Sequence, residues 1–231
     1  MAADPPRDAR PDAPEARGLR LVPVLLGLTV VSGIIDAVSY LGLHHVFTAN
    51  MTGNVVVLGF AAAGAPGFSV SHTATSLACF QLGALAGGRL AVRYGGRSRR
   101  SWARVTLAVE TGLVGTSAAV AFAAPGAAGT TYTLIALTAL AMGLRNATVI
   151  KLGVPDLTTT VLTRTLTGLA ADSRAAGGTG HRSTRRAASV IAMLAGAALG
   201  AWLVVHRDLG TPLLIAAVAA GVLAAVTSGR E

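Results

Sequence analysis

The stretch from Gly33 to Gly59 reads GIIDAVSYLGLHHVFTANMTGNVVVLG and decides what kind of protein this is. It is apolar enough to lie in a membrane, yet it holds Asp36, Asn50, Thr52 and Asn54, with glycines at 33, 42, 53 and 59. A segment built only as an anchor has no use for an aspartate and two asparagines. Each costs free energy in hydrocarbon unless a partner is supplied.

The composition around this stretch has the same character. Hydrophobic residues make up 52% of the 231 residues and charged ones 13%, against about 45–50% and about 25% in soluble domains. The mean hydropathy is +0.61. The net charge of +9 does not point to nucleic acid, because the arginines are clustered between apolar runs, as in cytoplasmic membrane loops, instead of covering a soluble face. Cys79 is the only cysteine, so there is no internal disulfide and no CxxC metal site.

Six apolar runs are long enough to cross a bilayer, at about 20 residues each. They are Leu21–Leu43, His72–Val92, Trp102–Ala124, Thr131–Ile150, Ala187–His206 and Pro212–Ser228. Two shorter, more polar stretches accompany them, Phe47–Gly64 and Leu157–Ala171. The expected fold class is therefore all-α, a polytopic integral membrane protein of about six transmembrane helices plus two shorter segments. Residues 1–18, rich in Pro, Asp, Ala and Arg, read as a disordered cytoplasmic tail, and 19–231 as a single transmembrane domain. Small residues at Gly83, Gly87, Gly196 and Gly200 supply faces on which membrane helices pack closely.

Charge sets the expected topology. Arginines cluster before the first run, between Arg89 and Arg104, and between Arg174 and Arg186, while 64–71 and 124–130 carry no charge. The positive-inside rule puts all three clusters in the cytoplasm. That holds if Phe47–Gly64 and Leu157–Ala171 dip into the bilayer without crossing, with both chain ends cytoplasmic. The alternative is eight ordinary helices with one cluster breaking the rule. The expected location is a bacterial cytoplasmic (inner) membrane.

The two short stretches read as counterparts. At an offset of 110, Gly33, Asp36, Ala37 and Thr48 align with Gly143, Asn146, Ala147 and Thr158. One residue later, Thr52, Asn54 and Leu58 align with Thr163, Thr165 and Leu169. On the dipping topology the copies run in opposite senses, an inverted repeat of the kind that places broken helices at the midplane of transporters.

The run GIIDAVSYLGLHHVFTANMTGNVVVLG, with AMGLRNATVIKLGVPDLTTTVLTRTLTGLAAD at 141–172, resembles the YoaK-like family of bacterial membrane proteins (domain of unknown function 1275), over nearly everything from Leu21 to Ser228. The resemblance implies about six spans and no established reaction, substrate or cofactor. The chain departs from the family pattern at Arg145, where the resemblance leads to glutamine, and at Arg164, where it leads to glycine.

Candidate residues follow from depth and chemistry. Asp36 lies past the middle of the first run, either as a hydrogen-bonded structural carboxylate or as a proton or cation site. Asn50, Thr52, Gly53 and Asn54 offer donors and acceptors at a helix start, for capping or for a solute. Asn146, Thr163, Arg164 and Thr165 are the second-copy candidates, with residues 163–168 completing a polar lining. Glu110 and Arg145 are expected to snorkel toward an interface as structural charge partners. Arg164, amid threonines, is expected to pair with Asp36 or Glu110. His44 and His45, if helical, would point about 100° apart and chelate poorly. His72, His181 and His206 have no metal-ligand spacing.

No GxSxG, HExxH, phosphate-binding or dinucleotide-binding motif is present. The expectation is a non-enzyme without cofactor or metal, its partners being the lipid bilayer and a small-molecule or ion substrate: a transporter or channel. The alternative is a structural or regulatory membrane protein whose polar motifs serve helix packing. A lipid-directed membrane enzyme is the third class.

Overall fold

The computed structural model describes residues 13–94, 99–152, 162–179 and 183–226. Among these it is all-helical. The helices are α1 (Ala13–Gly42), α2 (Met51–Ala62), α3 (Val70–Tyr94), α4 (Arg99–Ala123), α5 (Ala128–Leu152), α6 (Leu162–Ala171), α7 (Ser183–His206) and α8 (Gly210–Val226), with a 3₁₀ turn at Arg174–Ala176.

Four helices are long and apolar enough to cross a membrane: Val22–Gly42 of α1, Trp102–Ala123 of α4, Gly129–Leu152 of α5 and Ser183–His206 of α7. The other two expected runs form α3, which carries more polar residues, and the 17-residue α8. Of the short stretches, Phe47–Gly64 is helical only in part. Helix α2 has 12 residues and α6 has 10, or about 18 and 15 Å of rise against about 30 Å of hydrocarbon. Helix α1 begins at Ala13, inside the expected tail. Residues 1–12 and the first part of Leu157–Ala171, with Thr158, lie outside the described residues.

Packing follows the small residues. A Cβ at Gly83 would strike the carbonyl oxygen of Leu140, and one at Gly87 would meet Leu144 and Ala147. These contacts lay α3 and α5 side by side in the same direction. A Cβ at Gly196 would strike the carbonyl of Val30, and one at Gly200 would meet Ile34 and Ala37, so α7 and α1 are parallel too. Shifting α3 by 113 residues and α5 by −110 turns the first set of contacts into the second. Two glycines of the partner helices behave alike: Gly33 faces Met193, and Gly143 faces Phe80. With no Cβ on either side, the backbones approach closely enough for dispersion to hold helices that gain little from hydrophobicity in lipid.

Helix α8 runs antiparallel to α4, with Gly115 near Ala217 and Gly221 near Thr111. It also runs antiparallel to α1, with Gly27 against Leu223 and Gly42 against Leu209. The main core joins Ile34, Ile35 and Val38 of α1, Val114 of α4, Leu134 and Met142 of α5, and Leu213 of α8. Large apolar side chains such as Leu194, Val205 and Val218 stay on the outside, as a lipid-facing surface requires.

Candidate functional site

After α1 the chain turns back on itself. His44 and His45 both have φ 59°, left-handed conformations that non-glycine residues adopt uncommonly. They lie in the turn that follows α1, so the separation of a helical pair does not apply to them. His44 stacks on His72 and His45 packs edge-on to Tyr40. Among the described residues no group of three or more His, Cys, Asp or Glu could hold a metal.

The reversal carries residues 46–50 back down beside α1. There the N–H of Ala49 donates to Asp36 Oδ1 at 3.2 Å. Asn54 fixes the same segment: its amide accepts from the N–H of Phe47 at 2.8 Å and donates to the Phe47 carbonyl and to Ser76 of α3. Ser76 also donates to that carbonyl. With its amide closed by partners, Asn54 is a positioning residue and does not reach a solute. Gly53 allows the Phe47 ring to lie against α2, since a Cβ there would come within 2.8 Å of it. Asn50 caps α2 by accepting from the N–H of Gly53 at 3.3 Å, one of the donors a helix start leaves unpaired.

The result is a cavity of about 360 Å³ lined by Asp36 of α1, Asn50, Thr52 and Gly53 at the start of α2, Thr163 at the start of α6, and Met193 of α7. Asp36 is 7% exposed. One of its oxygens is held by Ala49, and the other has no hydrogen-bond partner among the described residues. Met193 lies level with Gly33, near the middle of α1, so the cavity sits at mid-depth in the helix bundle. The first turns of both short helices open into it.

Glu110 and Arg145 pair with each other as charge partners, away from the interface they were expected to reach. Neither snorkels: they are 0% and 2% exposed. Arg145 Nε donates to Glu110 Oε2 at 2.9 Å and Nη2 to Oε1, while Nη1 donates to the Leu28 carbonyl and to Ser32 Oγ on α1. This fork ties α1, α4 and α5 together, and it offsets the cost of burying charge by pairing the two ions and giving the guanidinium further acceptors on α1.

The expected pairing of Arg164 with Asp36 or Glu110 is therefore wrong. Glu110 is already taken by Arg145, and Arg164 is exposed on α6 with no ion pair to a described residue. Thr165 is buried, at the position matching Asn54. Asn146, matching Asp36, is also buried and donates to the Met142 carbonyl, with no place in the cavity lining.

The sequence alone pointed to neither Met193 nor the Ala49 N–H. A methionine inside an apolar run and a backbone donor leave no compositional trace. Ser76 stood in the polar string Thr73–Ser76, which was a signal of a polar contact in an otherwise apolar helix.

Residues 24–226 match the family described as "Protein of unknown function (DUF1275)", a span that takes in most of α1 and all of α2 to α8. The chain belongs to the DUF1275 family. This DUF1275 chain is 34% identical over 145 residues to the UPF0700 transmembrane protein YoaK of Bacillus subtilis (strain 168), over 63% of this chain and 64% of that protein. It thus spans just under two thirds of the length of that relative. No solved structure matches. DUF1275 is a family of transmembrane proteins, and the apolar helices of this member fit a membrane location.

Proposed function

We propose that the chain moves a small molecule or ion across the membrane through the Asp36 cavity. The observation that carries this reading is the meeting of both short-helix starts and a buried carboxylate at one mid-depth cavity. Transporters place broken helices in this way, so that helix ends and freed backbone groups meet a solute at the midplane.

The reading includes a topology of six crossing helices, with α2 entering from outside and α6 from the cytoplasm. Helix directions support it. The antiparallel pairing of α4 and α8 requires an odd number of steps between them, which fits if α6 does not cross. The antiparallel pairing of α1 and α8 then fits only if α2 does not cross either. All three arginine clusters fall on one side, the cytoplasmic one, together with both chain ends. The matched glycine contacts of α3–α5 and α7–α1 support an inverted repeat. Asp36 serves as the coupling or selectivity group, and no chemical turnover is assigned.

Proteoliposomes challenged with potassium chloride, sodium acetate, urea and glycine test the reading. At least one probe is expected to cross faster than in protein-free vesicles, and to lose that advantage with Asp36→Asn. If no probe crosses faster, or if Asp36→Asn leaves the flux unchanged, the non-transporting packing role takes its place.

A further inference from the structure

The charges that meet in the cavity are of two kinds. Asp36 contributes a carboxylate that is nine-tenths buried, with one oxygen lacking a hydrogen-bond partner among the described residues. Arg145 lies nearby, joined to Ser32 one turn earlier on α1, but its charge is already matched by Glu110. The carboxyl group of Asp36 therefore faces the cavity with no ion-pair partner among the described residues. The start of α2 supplies the opposite sign, because aligned peptide dipoles and unpaired N–H groups make a helix N-terminus a partial positive charge. Asn50 occupies the Gly53 N–H of α2, but the N–H groups of Met51 and Thr52 have no partner among the described residues. Thr52 and Thr163, both bearing hydroxyls, line the same cavity.

A simple cation satisfies Asp36 and is repelled by the start of α2. A simple anion does the reverse. A solute bearing an ammonium group next to a carboxylate satisfies both, and enters the low-dielectric interior with no net charge to desolvate. Met193, with Val56 and Leu162, lines the rest of the cavity with apolar surface. Its volume of about 360 Å³ falls at the small end of ligand sites.

We propose that the cavity binds a small zwitterion of the α-amino-acid class, its ammonium group on Asp36 and its carboxylate at the start of α2, within reach of Thr163. The proposal rests on the translocation reading and narrows it to one substrate class.

Thermal unfolding of the purified full chain in detergent tests it with matched probes. L-alanine and L-leucine carry both charges; ethylamine and isoamylamine keep only the amine; propionate and 4-methylpentanoate keep only the acid. At equal concentration an amino acid is expected to raise the unfolding midpoint, and neither of its halves to do so. Asp36→Asn is expected to bind it roughly tenfold or more weakly, as a lost hydrogen bond to a charged group implies. Thr163→Val, which leaves Asp36 in place, is expected to weaken binding as well, and serves if Asp36→Asn does not fold. A shift as large with an amine or an acid alone, or no shift with either amino acid, overturns the proposal. The two failures are separable, because Asp36-dependent flux of potassium, acetate or urea would uphold translocation while the zwitterion fell.

Discussion

Arg145 and Glu110 lie against each other in the core, on α5 and α4, with the guanidinium making two hydrogen bonds to one carboxylate. The pair is closed to solvent and is bonded to α1 through Leu28 and Ser32. It pins three helices at one point beneath Asp36.

Removing one member leaves the other buried without its counter-ion. Arg145→Met and Glu110→Leu are each expected to cost about 3–5 kcal/mol of stability. The double variant Arg145→Met with Glu110→Leu is expected to cost clearly less than the sum, since no unmatched charge remains. Unfolding in detergent, arranged as a double-mutant cycle, measures the difference. An additive result would show that the two side chains act independently.

The glycines divide into two sets with opposite expected behaviour. A Cβ at Gly143 would strike the Phe80 carbonyl, whereas one at Gly112 meets nothing within 4 Å. Gly143→Ala is expected to destabilise by about 1–3 kcal/mol through overpacking. Gly112→Ala is expected to be neutral, or to stabilise by about 0.5–1 kcal/mol through reduced backbone freedom. Unfolding midpoints of the two variants, compared side by side, check this contrast.

Asn54 holds the descending segment against α3. Asn54→Leu leaves the Phe47 N–H and carbonyl without the amide that serves them, and is expected to cost about 1–3 kcal/mol. Ser76→Ala removes one contact of the same network and is expected to cost less. Hydrogen exchange of the Phe47 and Ala49 amides is the local readout: both are expected to exchange faster in Asn54→Leu, with the α4–α8 contact unaffected.

Much of this architecture was legible in the sequence, for identifiable reasons. Apolar runs of span length and arginine clusters betray membrane helices directly, because bilayer thickness and cytoplasmic charge bias act on composition. The run around Asp36 announced a polar site because polar groups at depth are costly. Asp36, Asn50, Thr52, Gly53 and Thr163 do come together. What composition could not carry was pairing. Arg145, Arg164 and Glu110 are three charges in apolar surroundings, and only the helix arrangement decides that Arg145 faces Glu110 while Arg164 turns outward. The division of labour between Asn50 at the cavity and Asn54 in a closed network was hidden for the same reason: four residues along one helix separate a lining position from a packed one.

The central claim is that the starts of α2 and α6 face water at mid-depth rather than lipid or packed protein. Substituted-cysteine labelling with a charged, membrane-impermeant thiol reagent tests it most directly, in a Cys79→Ala background and on vesicles of both orientations. Thr52→Cys and Thr163→Cys are expected to react from at least one side, while Val218→Cys, exposed on the lipid-facing surface of α8, stays inert. If cysteines at 52 and 163 prove as unreactive as the one at 218, no aqueous cavity reaches Asp36 and the account fails.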